Sequence, residues 1–426
     1  MATPLMEVRT RSEAMTRDSV GPLEVRGKAM RKTIFMFPDD VGDDAMRRLR
    51  DDYGLSDVFL AFSYHAVDDI HLARSGFERV HSRSGDLWFI RDRGRYERVL
   101  GARLPLAGNG GRRSLAALTE SAAANGVRMW AWSTYLHIDR STRRGRSRDP
   151  LGASRGYCLC PSSPAARDFA MALTEDMLRP EIAGVLAESL QFHDVQHGSH
   201  HERLFALPPG VLREVWGWCF CNHCLKRVRD RCIDAEGFRL AFLALVEDCW
   251  SDGELRGDDE MEDMLESSCP GALDAFRSMR RDVVMTLVDA VYQQVRSAGK
   301  RLVIFDIAGA ASGFSSGCSG GSQCSDEAMK YGLDLSRIGS SGARIAAPLY
   351  RRDVRDAERD LVSYLEEVGG RCDAVLPILR PTWPDCSSLM QLKEKVAMVR
   401  ERGVSEVAFY HYAFCSPKVL TWIGEC

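Results

Sequence analysis

The chain has 426 residues, 45% of them hydrophobic and 27% charged, which is an ordinary globular composition with enough apolar material for a large core. Its formal net charge of −3 gives no field to draw it onto nucleic acid or an anionic membrane. No run approaches the roughly eighteen apolar residues of a membrane span, and fourteen cysteines in so long a chain, without a secretory leader, read as free thiols plus a metal site. The cytoplasm is the expected compartment.

Residues 1–31 are polar and aperiodic and are expected to be mobile, with one domain over 32–426. Short apolar runs then recur: 33–37, 58–62, 127–132, 184–190, 302–306, 344–350, 374–379 and 407–412. Each reads as a buried strand. Helical patterns separate most of them, at 42–52, 114–125, 163–178, 211–250, 273–298, 353–368 and 389–402. The stretch 66–111 reads as an irregular loop over one end of the fold, and 251–266 as an exposed connection. Parallel strands need crossover helices, and eight such runs fit a closed (β/α)8 barrel better than an open doubly wound sheet. The glycine-rich stretch 309–321 matches no phosphate-binding fingerprint.

In a barrel of this kind the chemistry sits at the C-terminal strand ends. Reading off those ends gives Asp39, Asp40, His65, His137, Glu188, Asp306, Tyr350, Arg380, Trp383, Tyr410 and Tyr412. Acids, imidazoles and aromatic rings together suit a polar ring-shaped ligand. Glu188 follows Gly184-Val185-Leu186-Ala187 on a strand that should be buried on both faces, where a carboxylate is costly unless paired or functional. An arginine salt bridge is the plain alternative. Asp306 has the same logic on the fifth strand, and could instead tie down a loop.

His193, His197 and His201 recur every four residues, so a helix would align them as metal ligands; Gly198 argues against a helix, and hydrogen bonding to substrate is the other reading. Cys219-x-Cys221-x-x-Cys224 supplies three thiolates. A tetrahedral zinc needs a fourth, with Cys160, Cys158 or Cys232 as sources. With four protein ligands such a zinc is structural.

Three local features resemble the family-42 glycoside hydrolases, β-galactosidases with a (β/α)8 catalytic barrel. Cys160-Pro161-Ser162-Ser163-Pro164 is similar to that family's Cys-Pro-Asn-Ser-Pro segment. Ala187-Glu188 is similar to its Asn-Glu pair, and the cysteine triplet to its zinc segment. The resemblance implies Cys160, Cys219, Cys221 and Cys224 as zinc ligands and Glu188 as general acid/base. It also departs: Ala187 replaces the Asn, and the seventh strand, ending at Arg380, has no carboxylate for the family's nucleophile. Asp306 is the expected substitute, with Asp39 or Asp385 behind it.

The leading expectation is a glycoside hydrolase-like enzyme acting on a small carbohydrate or glycoside. Glu188 is the acid and Asp306 the base or nucleophile. His65, His137 and His193 hold hydroxyls, and Trp132, Trp383 and Tyr410 stack on the ring. Asp39, His197, Tyr350 and Arg380 complete the expected binding set. A metal-dependent isomerase, lyase or hydrolase, with the histidines and Asp306 on a second metal, is an alternative. A non-catalytic carbohydrate-binding barrel is another. A homo-oligomer is compatible with either.

Overall fold

The computed structural model describes residues 30–42, 44–73, 78–84, 87–102, 114–138, 142–193, 210–252, 256–308 and 324–426. Eight parallel strands close into a barrel. In chain order they are Arg31–Met36, Asp57–Ser63, Arg128–Thr134, Gly184–Glu188, Arg301–Phe305, Arg344–Pro348, Val375–Leu379 and Glu406–Phe409. Each pairs with its sequence neighbour in the barrel, and the eighth returns to the first, pairing Arg31 with Glu406. The expected fold class is therefore the observed one. The first strand opens at Arg31, two residues before the apolar run; the remainder of the expected mobile N-terminus, 1–29, lies outside the described residues. No described helix is long and apolar enough to cross a membrane.

Alternation along each strand produces two cores. Inward-facing Phe35, Phe59, Trp130, Trp132, Leu186, Val303, Phe305, Leu376 and Ile378 fill the barrel. Their neighbours Ile34, Val58, Met129, Val185, Leu302 and Val375 face outward and pack under the helices. The floor is closed by Trp130, whose indole N–H donates to Asp57 Oδ1 at 2.8 Å, with the Arg301 guanidinium 4.7 Å from its ring. Gly184 is fixed by this ring: a Cβ there would stand 2.3 Å from Trp130.

Two stretches differ from expectation. Within 66–111 the chain forms an antiparallel hairpin, Ala66–His71 with Glu78–Ser84, and a helix, Arg93–Leu100. The hairpin is tied to the segment after the eighth strand, where the Leu72 N–H donates to Ala413 O at 2.6 Å. The expected exposed connection contains the helix Asp258–Ser268. Met261 and Leu265, four residues apart, give it a buried face. A second hairpin, Arg146–Arg148 with Ser154–Leu159, leads into the helix Pro164–Met177.

Candidate active site

Glu188 shares the inward parity of Leu186 and ends the fourth strand, opposite Thr134 of the third. Trp132 lies two pairs deeper, on the same inward face, and its indole N–H donates to Glu188 Oε2 at 2.7 Å. Among the described residues this is the carboxyl's one side-chain hydrogen-bond partner, and no arginine pairs with it. Burial disfavours the ionised form; the Trp132 N–H favours it. Burial wins, pushing the carboxyl up to about 7. The side chain is nevertheless partly exposed. The next residue, Ser189, has φ of 61°, a left-handed conformation uncommon outside glycine. There the chain leaves the barrel sharply, held by Leu136 N–H donating to Ser189 O at 3.0 Å.

Three phenols surround the acid. The Tyr64 and Tyr410 hydroxyls are hydrogen-bonded at 2.8 Å. Tyr350 lies 6.0 Å from Tyr410, ring to ring, beneath the Arg380 guanidinium at 4.4 Å. Burial, joined by the charge of Glu188, holds all three well above the usual phenol range, so each keeps its proton.

A row of imidazoles runs along one side. His65 stacks on Tyr64 at 4.2 Å and on His137 at 4.4 Å, and His137 meets His193 at 5.2 Å. Tyr157, from the second hairpin, faces His193 at 6.5 Å. The fold thus gathers His65, His137, His193, Tyr350, Tyr410 and Glu188. His197, with His201 and the rest of that loop, lies outside the described residues.

Other expected positions are elsewhere. Asp306 is fully buried and turned outward. Its Oδ2 accepts from the Tyr364 hydroxyl at 2.5 Å, and Oδ1 accepts from Ala308 N–H at 3.0 Å. Tyr364 belongs to the helix Val354–Glu367, outside the barrel wall. Asp306 is therefore corrected from a bowl carboxylate to an anchor between strand and helix. Tyr364→Phe is expected to lower stability by about 1–3 kcal/mol, since a buried acceptor loses its donor. Denaturant unfolding measures this, and the pH dependence of any activity should be unmoved.

Asp385 is also occupied. Both its oxygens accept from Arg380, at 2.7 and 2.8 Å. Trp132 is 0% exposed, which corrects it from a stacking platform to the support of Glu188. Trp383 is 69% exposed under Arg352. Asp39 lies in the turn after the first strand. Its neighbour Asp40 is the buried one, 3.2 Å from His71 Nδ1.

The sequence reading missed Tyr64 and Asp69. On the first hairpin strand burial alternates, so that Asp68 is exposed while Asp69 is partly buried. Asp69 acts electrostatically on Tyr64 and Tyr410. The eighth strand, which leads to Tyr410, is diametrically across the eight-strand ring from the fourth. The period-two pattern of 66–71 was the available signal, hidden because both of its faces carry polar residues.

Beside the bowl the four sulfurs of Cys160, Cys219, Cys221 and Cys224 lie buried within 4.8 Å of one another. Cys160 Sγ is 3.4 Å from Cys224 Sγ and 3.7 Å from Cys221 Sγ. Tetrahedral zinc with Zn–S of about 2.3 Å sets sulfurs about 3.8 Å apart, so the donor set fits that ion. The Arg148 N–H donates to Cys219 Sγ at 3.3 Å. Cys158 is outside the cluster, its thiol pushed up to about 12 by burial, and Cys232 is exposed. Among the described residues these cysteines are the one group with metal-ligand spacing.

No family model matches the chain, and no curated protein matches it. Among solved structures, the catalytic domain of β-amylase from Paenibacillus polymyxa covers 92% of this chain and 96% of its own, with 10% identity and a TM-score of 0.48. The chitobiase of Flavobacterium johnsoniae covers 94% and 48%, with 11% identity and a TM-score of 0.37. A D-psicose 3-epimerase covers 89% and 84%, with 8% identity and a TM-score of 0.34.

Proposed function

We propose that the barrel is a glycoside hydrolase-like enzyme in which Glu188 protonates the leaving glycosidic oxygen. The observation that carries this reading is an inward-facing carboxyl at the C-terminal end of a barrel strand, held by the Trp132 N–H and pushed up to about 7 by burial, where a proton donor is useful at neutral pH. Trp132 orients it. The Tyr64, Tyr350 and Tyr410 hydroxyls and the His65, His137 and His193 rings supply donors for sugar hydroxyls. Asp69, which acts electrostatically on Tyr64 and Tyr410, is our assignment for the second carboxylate that glycosidic chemistry needs. The four cysteines hold a structural zinc, which pins the second hairpin to the turn before the helix Asn222–Arg229 and takes no part in the reaction.

The test is a panel of aryl glycosides and natural oligosaccharides with wild type, Glu188→Gln and Asp69→Asn. Wild type is expected to cleave at least one substrate, with each variant at least a hundredfold slower. A wild type inert across the panel, or both variants at full rate, overturns the reading. The metal-dependent alternative rests on His193 and His197, and His197 lies outside the described residues.

A further inference from the structure

A cleft of about 690 Å³ lies beside the four cysteines and apart from Glu188. Six arginines line it: Arg95, Arg98, Arg143, Arg144, Arg146 and Arg148. Two are neutralised, Arg95 by Glu175 at 2.7 Å and Arg98 by Asp92 at 3.3 Å. Arg146 donates to Ile138 O at 2.7 Å and Arg148 to Gly152 O at 2.6 Å. A carbonyl orients Arg148 without cancelling its charge. Arg143, Arg144 and Arg148 are exposed. They form no ion pair among the described residues. Asp168 is the single carboxylate in the lining, and it is exposed.

The helices Pro164–Met177 and Asn222–Arg229 both begin on this cleft. Neither N-cap, Ser163 or Cys221, makes a side-chain capping bond, and neither first turn holds an acid. Their leading amides and dipoles therefore add to the arginine charge. Cys219 accepts from the backbone N–H of Arg148, whose side chain turns to the Gly152 carbonyl.

We propose that this cleft binds a tetrahedral oxyanion, a sulfate or phosphate group, either free or esterified to a sugar. Arginine forks and open helix starts match its oxygens. Tyr157, on the hairpin that gives Arg146, Arg148 and Ser154 to the cleft, faces His193.

The test is titration calorimetry on metal-replete protein, and it needs no turnover, so it stands or falls separately from the Glu188 reading. The probes are inorganic sulfate, inorganic phosphate, a monosulfated disaccharide and its desulfated counterpart. Saturable binding of at least one charged probe is expected. It should weaken at least tenfold in Arg143→Ala/Arg144→Ala, whose side chains are exposed and whose loss leaves the fold intact. A similar loss is expected in Ala165→Glu, which places a carboxylate in an open first turn. Both results support the site, and a tighter ester than free ion assigns it to a glycan. No saturable binding, equal affinity for the desulfated sugar, or undiminished binding in both variants overturns it.

Discussion

Glu188→Gln is expected to cost between about a hundredfold and ten-thousandfold in kcat/KM, the range for losing a positioned general acid. The pH dependence fixes the sign. A general acid works while protonated, so wild-type kcat/KM should be high below the Glu188 pKa and fall as pH rises through about 7. Trp132 donates to the ionised form and pulls that pKa down. Trp132→Phe should therefore move the falling limb to higher pH. Stability runs with the same titration. Between the ordinary value of 4.5 and about 7 the native state holds a proton that the unfolded chain has lost. Unfolding free energy therefore falls as pH rises across that window. Glutamine has no such slope, so the variant should gain up to about 3 kcal/mol on wild type above pH 7. A variant that is slower yet more stable at pH 8 than at pH 4.5, relative to wild type, would carry both signatures.

Cys221→Ser is expected to strip the metal and lower the unfolding midpoint by roughly 10 °C, because structural zinc binding is folding free energy. Wild type should carry one zinc per chain and the variant almost none. The loss acts on packing: Cys160 ends the second hairpin, and Cys219, Cys221 and Cys224 hold the turn and first helical turn against it. At a temperature where the variant stays folded, activity should remain within a few-fold of wild type. A wild type without zinc, or a variant with full zinc and an unchanged midpoint, would contradict this role.

Much of the barrel was legible because each strand is a short apolar run between helices. Glu188 stood out for the same reason, as a carboxylate ending such a run. The cysteine triplet was visible from spacing alone; its partner Cys160 came from a resemblance rather than from geometry. Asp306 shows where the reading ran out. A parallel strand buried on both faces is apolar at every position, so its sequence does not say which residues point inward. Val303 and Phe305 face the barrel, and Asp306 falls on the other side beside Tyr364. Trp132 failed differently. It lies two residue pairs deeper than Glu188, so a residue taken for a rim platform became the buried donor beneath the acid. Asp69 was hidden because both faces of the 66–71 run carry polar residues, so its period-two pattern did not mark which side turns inward.

The most direct measurement is a carboxyl titration by isotope-edited infrared spectroscopy, comparing wild type with Glu188→Gln. One carboxyl signal, missing from the variant, should titrate near pH 7 and shift upward in Trp132→Phe. A Glu188 signal that ionises near 4.5, indifferent to Trp132, would remove the proton donor on which the proposed chemistry rests.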